Sequence, residues 1–200
     1  PGGRVAAMAD RPRLRVVIAE DEAIIRLDLC ELLTEEGYDV VGECARGDEA
    51  VALVERTRPD VAILDVKMPG LDGLAVARRL TETRTCAVVI LTAFSQRELI
   101  EEARDAGAMA YLVKPFQRED LVPAIEVAVA RFADLATLAE SEQRLSDQLE
   151  VRRLADRAKA RLMNEYGLSE QAAFSFLQRN AMDRRTAMRA IAQQVLDGDL

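Results

Sequence analysis

Val61-Ala-Ile-Leu-Asp65-Val-Lys-Met-Pro-Gly-Leu-Asp-Gly73 is the stretch from which the rest of the chain can be laid out. Four apolar residues ending abruptly on an acid read as a strand buried on both faces, with Asp65 delivered to its carboxyl end. Met68-Pro-Gly70 and Asp72-Gly73 then predict a loop, because proline fixes φ and glycine reaches conformations that other residues resist. In open α/β sheets, ligands gather in the crevice outside the carboxyl ends of the strands. Asp65 is therefore a candidate reactive group, although an acid at such a place also commonly serves as a turn former or helix cap.

The same punctuation repeats on either side. Arg15-Val-Val-Ile-Ala19 reads as a strand and is followed at once by Glu20-Asp21-Glu22. Ile24, Ile25, Leu29, Leu32 and Leu33 then recur at helical spacing, and Gly37 closes that helix. A strand over 39–43, a helix over 47–57 and the turn Arg58-Pro59-Asp60 lead into the Asp65 strand. A third helix is predicted over 74–81, a strand over 87–91 ending in Thr92, and a fourth helix over 96–106 stopped by Gly107. Ala110-Tyr-Leu-Val113 is the last strand and ends in Lys114-Pro115. Five strands alternating with helices through short loops predict an α/β fold, a flavodoxin-like parallel sheet with right-handed crossovers. Glu20 with Asp21, Asp65, Thr92 and Lys114 then fall at the carboxyl ends of the first, third, fourth and fifth strands. Any one of them alone reads as a cap, an ion pair or a turn former; their convergence on one sheet edge points to a site.

Composition narrows the chemistry. The chain of 200 residues is half apolar, with eight aromatic residues and no Trp, which suits an aliphatic core between helices and a sheet. It contains no His, which excludes imidazole bases, Ser-His-Asp triads and histidine metal sites; any phosphohistidine must come from a partner. Cys30, Cys44 and Cys86 show no ligand or redox spacing and read as small apolar residues in a reducing compartment. No membrane span or secretory signal is visible, so a cytoplasmic location is expected. Residues 1–13 read as a loose tail or an appended remnant. Residues 1–150 carry 18 basic against 29 acidic side chains, a net −11, whereas residues 151–200 carry nine against six, a net +3. The two ends should prefer different partners, and the acidic part can mask the basic tail at low salt.

Three carboxylates crowded at one edge repel one another and require a cation among them. A hard divalent ion with oxygen ligands, Mg2+, answers this best: Asp21 and Asp65 would bind it, the backbone carbonyl of Lys67 would add a ligand, and Glu20 would hold a metal-bound water. Lys114 would supply a fixed cation on the other side. If Asp65 attacks phosphorus, these charges neutralise the equatorial oxygens and the Thr92 hydroxyl can hydrogen-bond the transferred group. The edge is suited to holding a phosphoryl group covalently.

Glu20-Asp21, Leu64-Asp65-Val-Lys-Met-Pro-Gly-Leu-Asp-Gly73, Leu91-Thr-Ala93, Tyr111 and Lys114-Pro-Phe116 together resemble the receiver domain of two-component response regulators, over about residues 14–130. The resemblance implies transfer from the phosphohistidine of a sensor histidine kinase to Asp65, with Thr92 and Tyr111 as switch residues and a cis bond at Lys114-Pro115. It implies a stoichiometric switch that loses its phosphoryl group slowly, not a turnover enzyme; a stand-alone phosphatase or phosphotransferase of the same α/β type is the enzymatic alternative. Glu20 departs from the more frequent Asp, which leaves its metal role indirect. The face between the fourth helix and fifth strand is the output surface by the same analogy.

No Gly, Pro or Ser cluster separates this part from the tail, and a long helix is predicted from Leu121 to about Glu165, interrupted only by Pro123 near its start. Over the linker 131–150, Leu135, Leu138, Leu145 and Leu149 form a partial heptad flawed by Glu142 and Arg152, open either to packing on the tail or to a homodimer on activation. Tyr166-Gly167 ends the helix. Ser169 is a cap for a second helix with Ala173, Phe174 and Leu177 on one face. Asp183 is a cap for a third carrying Met188, Ile191, Ala192, Val195 and Leu196. A small three-helix all-α domain is expected. Arg157, Lys159, Arg161, Arg179, Arg184 and Arg185 are candidate phosphate-backbone contacts, against the simpler reading of a solvated face. Ala158-Lys159, Leu162-Met163, Ala172-Ala-Phe174, Leu177-Gln-Arg179 and Ala181 resemble the ANTAR domain over roughly 138–198, which implies binding of RNA stem-loops and transcription antitermination. Ala160 and Arg161 depart from the Gly and apolar residue frequent there. A DNA-binding transcriptional regulator with a helix-turn-helix tail is the alternative, although the last helix lacks a recognition-helix pattern.

Overall fold

The computed structural model describes residues 13–93 and 97–199. Residues 1–12 of the expected tail, and Gln96 at the expected start of the fourth helix, lie outside the described residues. The chain divides into two compact units, Pro1–Ala136 and Thr137–Leu200.

In the first unit the strands are β1 (Arg15–Ala19), β2 (Asp39–Cys44), β3 (Val61–Asp65), β4 (Ala87–Thr92) and β5 (Ala110–Val113). They alternate with α1 (Ala23–Glu35), α2 (Gly47–Thr57), α3 (Gly73–Glu82) and α4 (Arg97–Asp105), and α5 (Arg118–Tyr166) follows. All strand pairs are parallel, in the order β2-β1-β3-β4-β5. Because successive strand residues point to opposite faces, each apolar run feeds two cores. Val16, Ile18, Ile63, Val89 and Leu91 pack with Leu29 and Leu33 of α1 and Leu121 and Ile125 of α5. Val17, Leu64, Val88 and Ile90 pack with Leu53 and Val54 of α2, Val76 and Leu80 of α3 and Ala103 of α4. The double burial is why β1, β3 and β4 read as unbroken apolar runs; each buried aliphatic side chain contributes roughly 1.5–3 kcal/mol.

Two sequence expectations change here. Ile24 is 86 % exposed, whereas Leu29 and Leu33 are fully buried. At about 100° per residue, Ile24 lies roughly 140° around the helix from Leu29, outside the arc that faces the sheet. The long helix also starts earlier than Leu121, at Arg118, so Pro123 falls in its second turn.

In the second unit the end of α5 packs with α6 (Glu170–Asp183) and α7 (Met188–Asp197) around Ala158, Leu162, Ala173, Leu177, Ile191, Ala192 and Val195. Ser169 caps α6, its hydroxyl accepting from the Ala172 N–H at 3.2 Å. Asp183 does not cap the third helix: it is the last residue of α6, and the N-cap of α7 is Ala187, with no side-chain bond. α6 runs to Asp183, and the Thr186 N–H then returns to the Ala181 carbonyl, so the turn uses the residues expected to open α7. Phe174 is 44 % exposed, and Phe176 packs on the core in its place. Leu135, Leu138, Leu145 and Leu149 are all more than half exposed. No described helix is long and apolar enough to cross a membrane.

Candidate functional site

The carboxyl edge of the sheet gathers the predicted groups because parallel pairing aligns the strand ends. Val66 N–H bonds Leu91 O at 3.0 Å and Lys114 N–H bonds Thr92 O at 2.8 Å, so the residues leaving β3 and β5 are tied to the end of β4. Asp65 and Thr92 are buried, Glu20 fully so, while Asp21 is exposed. One carboxylate oxygen from each of Glu20, Asp21 and Asp65 lies within 4.8 Å of the other two. Lys114 Nζ is 2.6 Å from Glu20 Oε2 and 2.7 Å from Asp65 Oδ1. The other Asp65 oxygen accepts the Lys67 N–H at 2.9 Å, which fixes the carboxylate plane. The peptide bond between Lys114 and Pro115 is cis.

Lys114 therefore lies between two of the acids instead of across the site from Glu20. Burial pushes the Glu20 carboxyl above its ordinary range, opposed by the hydrogen bond from Lys114 and reinforced by the charge of Asp65. Burial also works against the Lys114 ammonium, but hydrogen bonds to Asp65 and Glu20 and their charges outweigh it, so its pKa lies above the usual lysine value. Lys114 is the partner of Glu20 Oε2, and among the described residues no further donor reaches that oxygen. An all-oxygen donor set with one exposed acid and spare lone pairs fits a hard divalent ion that keeps several waters.

Arg26 was not among the expected site residues. Its guanidinium donates to the Glu20 carbonyl at 2.6 Å and lies 3.6 Å from Glu43, holding the turn after β1. Its only sequence signal is its place one turn into α1, which does not single it out.

Beyond Asp65, Lys67, Met68 and Pro69 line an open cavity of about 540 Å3 together with Asp21, Asp72 and Glu102. Asp72 caps α3, accepting from the Ala75 N–H at 2.7 Å. Gly73 is required by close approach: a Cβ there would lie 2.0 Å from the Asp65 carbonyl oxygen. Gly73→Ala is expected to displace the β3–α3 loop at a cost of roughly 1–3 kcal/mol, read as a lower urea midpoint. An unchanged midpoint would show that the loop yields freely. Tyr111 lies on β5, 45 % exposed, away from the buried edge.

The six basic candidates of the second unit divide in two. Lys159 bridges Asp156 and Glu170 at 2.9 and 3.0 Å. Arg161 pairs with Glu165 at 2.9 Å and donates to the Leu196 carbonyl. Both are half-buried and tie helices together. Arg157, Arg179, Arg184 and Arg185 are exposed and have no carboxylate partner among the described residues.

Residues 16–126 match the family described as response regulator receiver domain, and residues 143–196 match the ANTAR domain. The chain belongs to the response regulators and carries a C-terminal ANTAR domain. This regulator is 54 % identical over 196 residues to the transcriptional regulatory protein PdtaR of Mycobacterium tuberculosis, covering 98 % of this chain and 95 % of that protein. It is 32 % identical to sporulation initiation phosphotransferase F of Bacillus subtilis, over 56 % of this chain and 90 % of the relative. Among solved structures, the DNA-binding response regulator of the LuxR family from Staphylococcus aureus superposes with a TM-score of 0.56 at 30 % identity, covering 58 % of this chain and 98 % of that one. CheY in the CheX-CheY-BeF3-Mg+2 complex from Borrelia burgdorferi gives 0.54 at 25 % identity, over 56 % of this chain and 86 % of that one.

Proposed function

We propose that Asp65 accepts a phosphoryl group from the phosphohistidine of a sensor histidine kinase and that the resulting charge governs RNA binding by the ANTAR domain. The observation that carries this reading is the Lys114 ammonium held at 2.7 Å from a buried Asp65 beside two further carboxylates. A carboxylate oxygen of Asp65 forms the new bond to phosphorus while the bond to the imidazole nitrogen breaks and the electron pair leaves with the ring. Lys114 neutralises an equatorial oxygen, and the Thr92 hydroxyl at the end of β4 donates to another. Asp21, Asp65 and the Lys67 carbonyl would hold Mg2+, which when bound offsets charge on the transferring group; the ion named with the Borrelia CheY supports this choice. Lys114 must exchange its contact with Asp65 for the phosphoryl oxygen, and Thr92 and Tyr111 report the change. One phosphoryl group per chain is transferred and slowly lost, so the protein acts as a switch without turnover.

The output is control of transcription termination through RNA stem-loops, supported by the ANTAR match and by the exposed arginines of the second unit that have no carboxylate partner among the described residues. Phosphorylation favours pairing of two copies along the exposed leucines of α5, which places two RNA-binding domains together. The test is the affinity of the full chain for a labelled RNA stem-loop before and after incubation with acetyl phosphate and Mg2+, with duplex DNA as competitor at matched salt. Binding tightened roughly 5- to 100-fold is the expected result. Equal affinity in both forms would reject phosphorylation gating, and preference for the duplex DNA would reject RNA as the target.

A further inference from the structure

Of the three carboxylates at the sheet edge, Asp21 is the one not aimed by contacts of its own. Lys114 holds Glu20 and Asp65 at 2.6 and 2.7 Å, and the Lys67 N–H holds the second Asp65 oxygen. The Asp21 side chain is exposed and makes no hydrogen bond or ion pair among the described residues. Its direction is therefore set by the backbone between β1 and α1 that carries it. Two successive peptide units of that backbone are tied down. The Glu20 N–H donates to the Cys44 carbonyl of β2 at 3.1 Å, and the Glu20 carbonyl accepts from the Arg26 guanidinium at 2.6 Å. The second tie falls on the peptide unit joining Glu20 to Asp21, so a rotation there would swing the Asp21 carboxylate. Arg26 is itself braced. It is half-buried, and its Nε lies 3.6 Å from Glu43 of β2, whose carboxylate also accepts from Cys30 Sγ, one turn further along α1, at 3.3 Å.

We propose that Arg26, braced by Glu43, is a positioning residue for the Mg2+ site: it fixes the Glu20–Asp21 peptide and so aims Asp21 at the ion. The inference rests on the reading above that Asp21 and Asp65 hold Mg2+, and it adds residues that touch neither the ion nor the phosphoryl group. Charge and position make opposite demands here. A guanidinium beside the loop adds positive charge, which by itself opposes a cation, so its removal would tighten Mg2+ on electrostatic grounds alone. Loss of its hydrogen bond frees the peptide, and an exposed carboxylate must then be ordered as the ion binds. Groups that orient metal ligands from outside the coordination sphere typically contribute roughly 10- to 100-fold in affinity. The charge of a half-exposed arginine is screened by solvent and salt and contributes less. Position therefore outweighs charge, and the sign of the change in affinity separates the two.

The test titrates the full, unphosphorylated chain with MgCl2 alone in a calorimeter. Arg26→Ala is expected to raise the Kd for Mg2+ roughly 10-fold, and Arg26→Gln, which keeps a donor without the charge, to raise it less. Glu43→Ala is expected to raise it about 2- to 3-fold in the parent and to add nothing to Arg26→Ala, because the two residues act in series. Phosphorylation by acetyl phosphate, followed by intact mass, supplies the second readout. There the half-saturating Mg2+ concentration should rise by the same factor as Kd, while the rate at saturating Mg2+ falls far less; a merely structural defect would lower that rate as well. Affinity equal to or tighter than the parent's in either Arg26 variant overturns the proposal and leaves Arg26 as a charge near the site. A Glu43→Ala loss that persists without Arg26 overturns the coupling between them. Should Arg26→Ala fail to fold by circular dichroism, Arg26→Gln decides alone on the same criterion. A parent chain that binds no Mg2+ gives a different result, the rejection of the metal reading itself.

Discussion

Asp65→Asn is expected to remain at its unmodified mass after incubation with acetyl phosphate and Mg2+, under conditions where the parent chain gains one phosphoryl group. The loss should be complete, because an amide oxygen is far less nucleophilic than a carboxylate and gives no stable acyl phosphate. The variant keeps the volume of the side chain in a buried position and can still accept the Lys67 N–H, so the fold is preserved. It removes one of the two charges next to Lys114, which leaves the ammonium paired to Glu20 at 2.6 Å. Intact-protein mass spectrometry reads the result directly. Phosphorylation of the variant to the parent's extent would move the acceptor to another residue and remove the basis of the proposed switch.

Lys114→Ala has the largest expected effect on stability. The ammonium is the shared cation of Glu20 and Asp65, and the three side chains are 11 %, 0 % and 8 % exposed. Removing it leaves two buried carboxylates face to face, a change that typically costs about 3–5 kcal/mol. The sign of the pH dependence follows from Glu20, whose pKa in the folded chain is already raised above 4.5 by burial. A carboxyl raised on folding holds more protons folded than unfolded within the window, so stability falls as pH rises from 4.5 through the folded value. Without Lys114 that window extends upward. The deficit of the variant should therefore be greatest near about pH 7 and shrink towards about pH 5 as Glu20 is protonated. Lys114 contributes no competing trend there, because a pKa raised above 10.5 makes itself felt only as pH climbs beyond that value. Urea midpoints at the two pH values decide the matter: an equal deficit at both would mean that lost packing, not uncompensated charge, destabilises the variant.

The amino-acid sequence determined the alternation of strands and helices, the delivery of Glu20, Asp65, Thr92 and Lys114 to one sheet edge, and the Ser169 cap. All of these follow from local periodicity, turn chemistry and the fixed direction of a parallel sheet. The pairing of side chains that meet only through folding was left to the tertiary structure. Glu20 meets Lys114 because β1 and β5 end at the same edge of the parallel sheet and the two side chains converge there on Asp65 at the end of β3. Lys159 and Arg161 look no different in sequence from Arg179 and Arg185, yet the first two are held by acids and a carbonyl from neighbouring turns and helices. The exposure of Ile24 and Phe174 was decided in the same way. An apolar residue at the edge of a helical stripe is buried only if a neighbouring element reaches it, and that depends on how the helices pack.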